Sequence, residues 1–390
     1  MKAVHAIVCS LITSMILVGS SAPVRGEEES VERKGRIIPP ELKDLKRNYK
    51  VRLVYFVPND REAKSNYREK ADVLMRVVAD LYRRDLNSKG YETRGLDFEF
   101  DDDGRIKVHL INGRHSAVHY AGDPPSADRL FNSCQAEMIE ATGYPSRRAC
   151  LVFSEAGGIA EATPAYPYTG IAMVSGEIFR DDVTATTIEK QIENMFDETP
   201  IPKVAGKDPE SRNREVQVSN GVLAHELGHI FWCLHDSREL HNNIMGYGYH
   251  NLRKMYDRDT AKDHPVRFCK DHARMLSFNR YFLEEINEQD GDAPKIDLEF
   301  TQPLRPGETK VHARLKVTDD EGLGAYIIMQ RPQDLLVASG AMPGKDFDES
   351  LVIDTTFPLQ PGWDITYIVN VLDKNGNGSQ LTKVVKVELE

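Results

Sequence analysis

The residues with the clearest chemistry are His225-Glu226-Leu227-Gly228-His229. Residues four apart on an α-helix lie nearly one above the other, so both imidazoles can reach a single metal ion. Glu226 then sits beside the open coordination position, where a general base is useful. A third imidazole, His235, follows six residues after His229 and can join them only if the helix ends and the chain turns. Three neutral histidines with one position left for water form a catalytic site, whereas a structural zinc is closed by four protein ligands. The spacing therefore points to Zn2+ held by His225, His229 and His235, and to hydrolysis with Glu226 as the base. The pentapeptide alone recurs by chance, so the residues that follow it carry much of the weight.

After His235 come Asp236 and then Asn243-Ile244-Met245-Gly246-Tyr247-Gly248, with Met245 ten residues past the third histidine. This order resembles the metzincin zinc proteases, whose signature is HExxHxxGxxH followed by a Met-turn. The resemblance implies an α/β (α+β) catalytic domain with an active-site cleft and a mostly helical lower lobe. It implies zinc on His225, His229 and His235, Glu226 as general base, and Met245 beneath the metal. Asp236 directly after the third ligand is most similar to the adamalysin and reprolysin-like branch. Tyr247 matches a tyrosine that binds or approaches zinc in astacin- and serralysin-like enzymes, and is otherwise a packing residue under the cleft. The chain departs from the family at one point, because Trp232 stands where the family has a glycine. That glycine permits the left-handed turn that ends the helix, a conformation costly for a bulky side chain. Either the turn is made differently here, or Trp232 itself adopts the strained geometry.

The flanking sequence must position these residues. Ser219 or Asn220 is expected to cap the metal-site helix, whose inner face carries Val222, His225, Glu226 and His229. Upstream, Val51–Val57 reads as a strand, Tyr67 to about Gly90 as a helix, 127–140 as a second helix and 150–154 as a buried strand. Glu155–Gly170, rich in Gly, Ala and Pro, reads as a loop over the cleft. Gly170–Phe179 reads as a strand that could line its upper edge and pair with an extended substrate. Residues 198–217 read as a further loop. Downstream, a helix is expected from about Pro265 to Ile286 with Val266, Cys269, Met275 and Phe282 as its packing stripe. A gluzincin arrangement would need Glu284 or Glu285 from that helix as third ligand, and the packing stripe argues for a structural role instead.

At 390 residues the chain is long for one core. Residues 1–26 read as a cleaved secretory signal, with Lys2 ahead of an apolar run and Val24-Arg25-Gly26 at the cleavage point. Residues 27–48 read as a charged leader or linker, 49–288 as the zinc metalloprotease domain and 295–390 as a second domain. A net charge of −11 argues against nucleic acid as a partner, and no other segment is long enough to insert stably in a membrane. The expected product is thus secreted, or periplasmic or in the cell envelope, acting on a protein or peptide. Without Cys9 of the signal, Cys134, Cys150, Cys233 and Cys269 remain, and an even number in an oxidising compartment suggests disulfides, with 134–150 and 233–269 favoured. In the last hundred residues, Val311, Ala313, Leu315 and Val317 alternate with polar neighbours, as do Ile365, Tyr367, Val369 and Val371. Some seven such strands imply an immunoglobulin- or fibronectin-type sandwich, a spacer or an appendage that binds an extracellular or envelope partner. The competing reading of the whole chain is a secreted adhesion or scaffold protein with a vestigial or structural zinc site. Intact Glu226 argues against it, since a structural site has no use for a base.

Overall fold

The structure is a computed structural model that describes residues 35–158, 160–165, 169–202, 209–263, 266–355 and 357–389. In chain order the first half contains β1 (Lys50–Val57), α1 (Tyr67–Ser88), β2 (Val108–Asn112), α2 (Ala117–Ala121), α3 (Ala127–Thr142), β3 (Arg148–Ser154), β4 (Ala160–Ala165) and β5 (Thr169–Ser175). Then come α4 (Ile188–Asn194), the short pair β6 (Pro200–Ile201) and β7 (Glu210–Ser211), α5 (Arg212–Ile230), a 3-10 segment at Gly248–Tyr256 and α6 (Lys270–Ser277). The main sheet runs β2-β1-β3-β5-β4, parallel except for β4, which pairs antiparallel with β5 at the edge.

Alternation along β1 explains the layers. Leu53 and Tyr55 join the core shared with Leu74 and Val78 of α1 and with Leu223 and Leu227 of α5. Val54 and Phe56 point the other way, against Leu130, Phe131 and Met138 of α3. A strand with helices on both faces reads as a nearly continuous apolar run, which is why VRLVYFV is central.

Several elements differ from the sequence expectation. The cleft-edge strand is β4, inside the stretch read as a loop, and the charge-poor β5 lies one strand further in. Pro164 is tolerated there because an edge strand leaves one side unpaired. Helix α5 starts at Arg212, earlier than Ser219 or Asn220. The polar residues of its first turns look like loop, yet Gln217 and Asn220 are buried and donate to the carbonyls of Asn213 and Val216, four residues back on the same helix. The downstream helix is only α6, with Cys269 at its N-cap position accepting from the His272 amide. Pro265 lies outside the described residues. After Ser277 the chain is diverted, because Asn279 donates to the carbonyl of Phe231 and Arg280 reaches across to Asn375 and Asn377.

The cysteines also differ. Cys134, Cys150, Cys233 and Cys269 are all free and buried, so neither expected disulfide forms. Cys134 and Cys150 pack as small apolar groups in the α3 core, and Cys233 does so beneath the metal helix. Burial pushes the thiols of Cys134, Cys150 and Cys269 up to about 12 and that of Cys233 well up, suppressing the thiolate that disulfide exchange requires.

Residues 35–48 are docked. The amide of Ile37 donates to Tyr256, the Arg36 guanidinium covers the Phe196 ring, and the Leu45 and Arg47 amides donate to Asp97. Residues 1–26, the expected signal, lie outside the described residues. No described helix is long and apolar enough to cross a membrane.

The last hundred residues form seven strands: β8 (Lys295–Phe300), β9 (Lys310–Thr318), β10 (Leu323–Arg331), β11 (Leu335–Ala341), β12 (Asp346–Asp354), β13 (Asp364–Asp373) and β14 (Gly378–Lys386). They make two antiparallel sheets, β11-β10-β13-β14 and β12-β9-β8, around a core that includes Leu315, Ile328, Val369 and Val371. Strand β10 does not alternate, because both its faces are covered. Tyr326 and Ile328 enter the sandwich core, while Ala325, Ile327 and Met329 pack on Trp232, Cys269 and Met275 of the first half. Arg280 adds a polar clamp, donating to Asn375 O, Asn377 Oδ1, Asp290 O and Tyr49 Oη. The expected appendage is therefore packed against the α/β half over an apolar face.

Candidate metal centre

Helix α5 sets His225 and His229 one turn apart, and the chain after it returns His235 to the same point. The three Nε2 atoms form a triangle with edges of 3.2, 3.3 and 3.0 Å. A tetrahedral ion with bonds near 2.0–2.1 Å needs nitrogens roughly 3.3–3.4 Å apart, so the triangle fits zinc. Outer partners decide which nitrogen faces inward. His225 Nδ1 lies 2.7 Å from the Ile244 carbonyl and His229 Nδ1 lies 3.0 Å from the Cys233 carbonyl. A carbonyl only accepts, so each Nδ1 carries the proton and each Nε2 directs its lone pair at the shared point. Burial lowers all three histidines, His225 to about 4 and His229 well below its usual range, so the triad is neutral and able to bind a cation. It is the one group of three or more such side chains among the described residues arranged to hold a metal.

The turn that delivers His235 is made by Trp232 in the left-handed region, at φ 73°. The departure from the glycine pattern thus resolves as strain accepted by a bulky residue. Its indole is 7% exposed and packs in the cluster with Ile327, Met329 and Ile368, and its carbonyl accepts from Asn370 Nδ2 at 3.0 Å. The Met-turn closes beneath the site. A Cβ on Gly228 would come within 2.5 Å of Met245 Sδ, so the glycine inside the helix motif lets the methionine approach. Asn243 joins the pieces, accepting from the Met245 amide and donating to Asp236 Oδ2. Asp236 is buried and held by Arg238, which also binds Asp271.

Glu226 lies on the inner face of α5, 5% exposed, and burial with a contribution from Glu161 pushes its carboxyl up to about 7. It opens on a cleft of about 440 Å³ lined by Ala160 of β4, His225, His235, Met245, Tyr247, Tyr249, Gln333 and Asp334 among others. Tyr247 is 56% exposed and lines the cleft, with its ring edge-on to that of Tyr249. It also borders a second, polar pocket of about 550 Å³ with Asn213, Gln217, His250 and Asn251. Tyr249, Gln333 and Asp334 escaped the sequence reading. Tyr249 was within reach of it, being four residues past Met245, but the other two belong to the sandwich and carry no local signal.

No family model and no curated protein sequence matches the chain. Among solved structures, wild-type OgpA from Akkermansia muciniphila superposes with a TM-score of 0.56 at 15% identity, covering 88% of this chain and 95% of that one. Catalytically inactive OgpA in complex with an O-glycopeptide (glycodrosocin) substrate gives 0.57 at 14% identity, with 88% and 95% covered. At such identity the likeness is one of fold, and it spans the mixed α/β half together with the C-terminal β sheets.

Proposed function

We propose that the chain is a secreted zinc-dependent endopeptidase of metzincin type. The observation that carries the reading is the neutral Nε2 triangle of His225, His229 and His235 with the buried Glu226 carboxylate beside it. When bound, the zinc ion supplies Lewis acidity that polarises a carbonyl and lets water ionise near neutral pH. Glu226, with its carboxyl near 7, is matched to take a proton from that water and return it to the leaving amine. Strand β4 offers an unpaired edge beside the cleft, to which an extended substrate backbone can add by strand pairing. The Tyr247 hydroxyl is free to donate to a developing oxyanion.

Substrate class is suggested by the neighbour bound to an O-glycopeptide. The polar pocket next to Tyr247, lined by Arg214, His241, His250 and Asn251 among others, has room and hydrogen-bonding groups for a sugar on the peptide. The purified protein is expected to cleave unfolded casein or an O-glycosylated peptide, with products identified by mass spectrometry. Chelation should abolish cleavage, and Glu226→Ala should reduce it by about 10²–10⁴-fold while zinc remains bound. Cleavage that survives both treatments overturns the mechanism. A zinc-loaded protein that cleaves neither substrate favours the scaffold reading.

A further inference from the structure

The segment 232–237, which brings His235 to the site, is held at both ends by the sandwich. At its start the Trp232 carbonyl accepts from Asn370 of β13, and the indole is covered by β10 and β13. At its end the Ser237 amide donates to the Asp334 carbonyl at 3.0 Å, and Ser237 Oγ donates to the Gln333 carbonyl at 2.8 Å. Both acceptors lie in the tight turn between β10 and β11, where Asp334 is left-handed at φ 52°. That turn aims the Asp334 carboxylate at the site. Its Oδ1 accepts from Arg331 Nε at 3.0 Å, which leaves Oδ2 facing His235 Nδ1 at 3.7 Å. Metal-binding histidines need an acceptor on the nitrogen that does not bind, and His225 and His229 find theirs in carbonyls of the α/β half. For His235 the corresponding group is Asp334, one small side-chain rotation beyond hydrogen-bond distance.

We infer that the sandwich completes the metal site, with Asp334 as the positioning residue that orients His235 and the 331–334 turn as one wall of the cleft. This rests on the metal reading given above, although not on the identity of the substrate. The experiment uses the full chain and two variants, Asp334→Ala and Asp334→Asn. It measures Zn2+ affinity by chelator competition, the visible spectrum of the Co2+-loaded protein, and thermal unfolding of the metal-free protein. Asp334→Ala is expected to weaken Zn2+ binding roughly 10–100-fold and to shift the Co2+ bands. Asp334→Asn, which keeps an acceptor but loses the charge, should fall between it and the parent. A folded Ala variant within twofold of the parent overturns the inference. If the Ala variant does not fold, Asp334→Gly, which suits the left-handed backbone and removes the acceptor, is read by the same twofold limit. Failure of the parent to bind Zn2+ at all removes the metal reading as well. Zinc binding without peptide cleavage removes only the peptidase reading and leaves the affinity comparison to decide this one.

Discussion

His225 and His229 are presented by one α-helix, and their outer nitrogens meet the Ile244 and Cys233 carbonyls of the α/β half. His235 is presented by a loop whose backbone, bulky pivot and outer partner all meet the sandwich. The first arrangement starts from helix geometry, while the second needs two folded units in register. Three side chains that meet at one point are thus held by unlike supports. His235 is the one expected to move first when the interface is disturbed.

Trp232 is the sharpest place to break this asymmetry. Trp232→Ala removes a buried indole and keeps a side chain at positive φ, so unfolding in denaturant should show a loss of about 3–5 kcal/mol. Trp232→Gly removes the same packing but relieves the left-handed penalty, and should recover about 1–2 kcal/mol relative to Ala. Equal losses in the two variants would mean that the strain is not real. Both should lower zinc content through His235 and leave the helix-borne pair in place.

Acid tests the burial of the three histidines in a second way. In the metal-free fold burial holds His225 near 4, whereas the unfolded chain titrates near 6.5. As pH falls from 6.5 toward 4 the unfolded state binds a proton that the folded state refuses, so stability drops, by on the order of 2 kcal/mol from this residue alone. A metal-free protein whose unfolding free energy is flat over that window contradicts the burial argument. Bound zinc should not flatten the slope, because it keeps the folded imidazole unprotonated while the unfolded chain still takes up its proton.

Tyr247→Phe should have the smallest effect on stability, within about 0.5 kcal/mol, because the ring is more than half exposed. Its effect on kcat, measured with KM on one peptide, reports whether the hydroxyl assists the reaction. An unchanged kcat would assign the tyrosine to the cleft wall only.

What could be read from sequence follows the same division. The HExxH helix, the i+10 histidine and Met245 are local patterns, legible because periodicity and spacing act within a few turns. The alternating strands of the sandwich were legible for the same reason. Strand β4 was missed because an edge strand tolerates Gly, Ala and Pro, and so resembles a loop. The start of α5 was missed because Gln217 and Asn220 donate to the Asn213 and Val216 carbonyls of their own helix, a buried use of residues that usually mark turns. The cysteines were misjudged because parity says nothing about whether each thiol is wanted as packing. Trp232 was visible as a departure from the glycine pattern, but what covers its indole was not, and Gln333 and Asp334 have meaning only across an interface, where one-dimensional patterns have no reach.

The indole at position 232 ties the two halves together. A glycine there would turn without cover, whereas tryptophan at φ 73° turns with residues of β10 and β13 packed on its ring. A nick that freed the sandwich would uncover the indole and release the loop that carries His235.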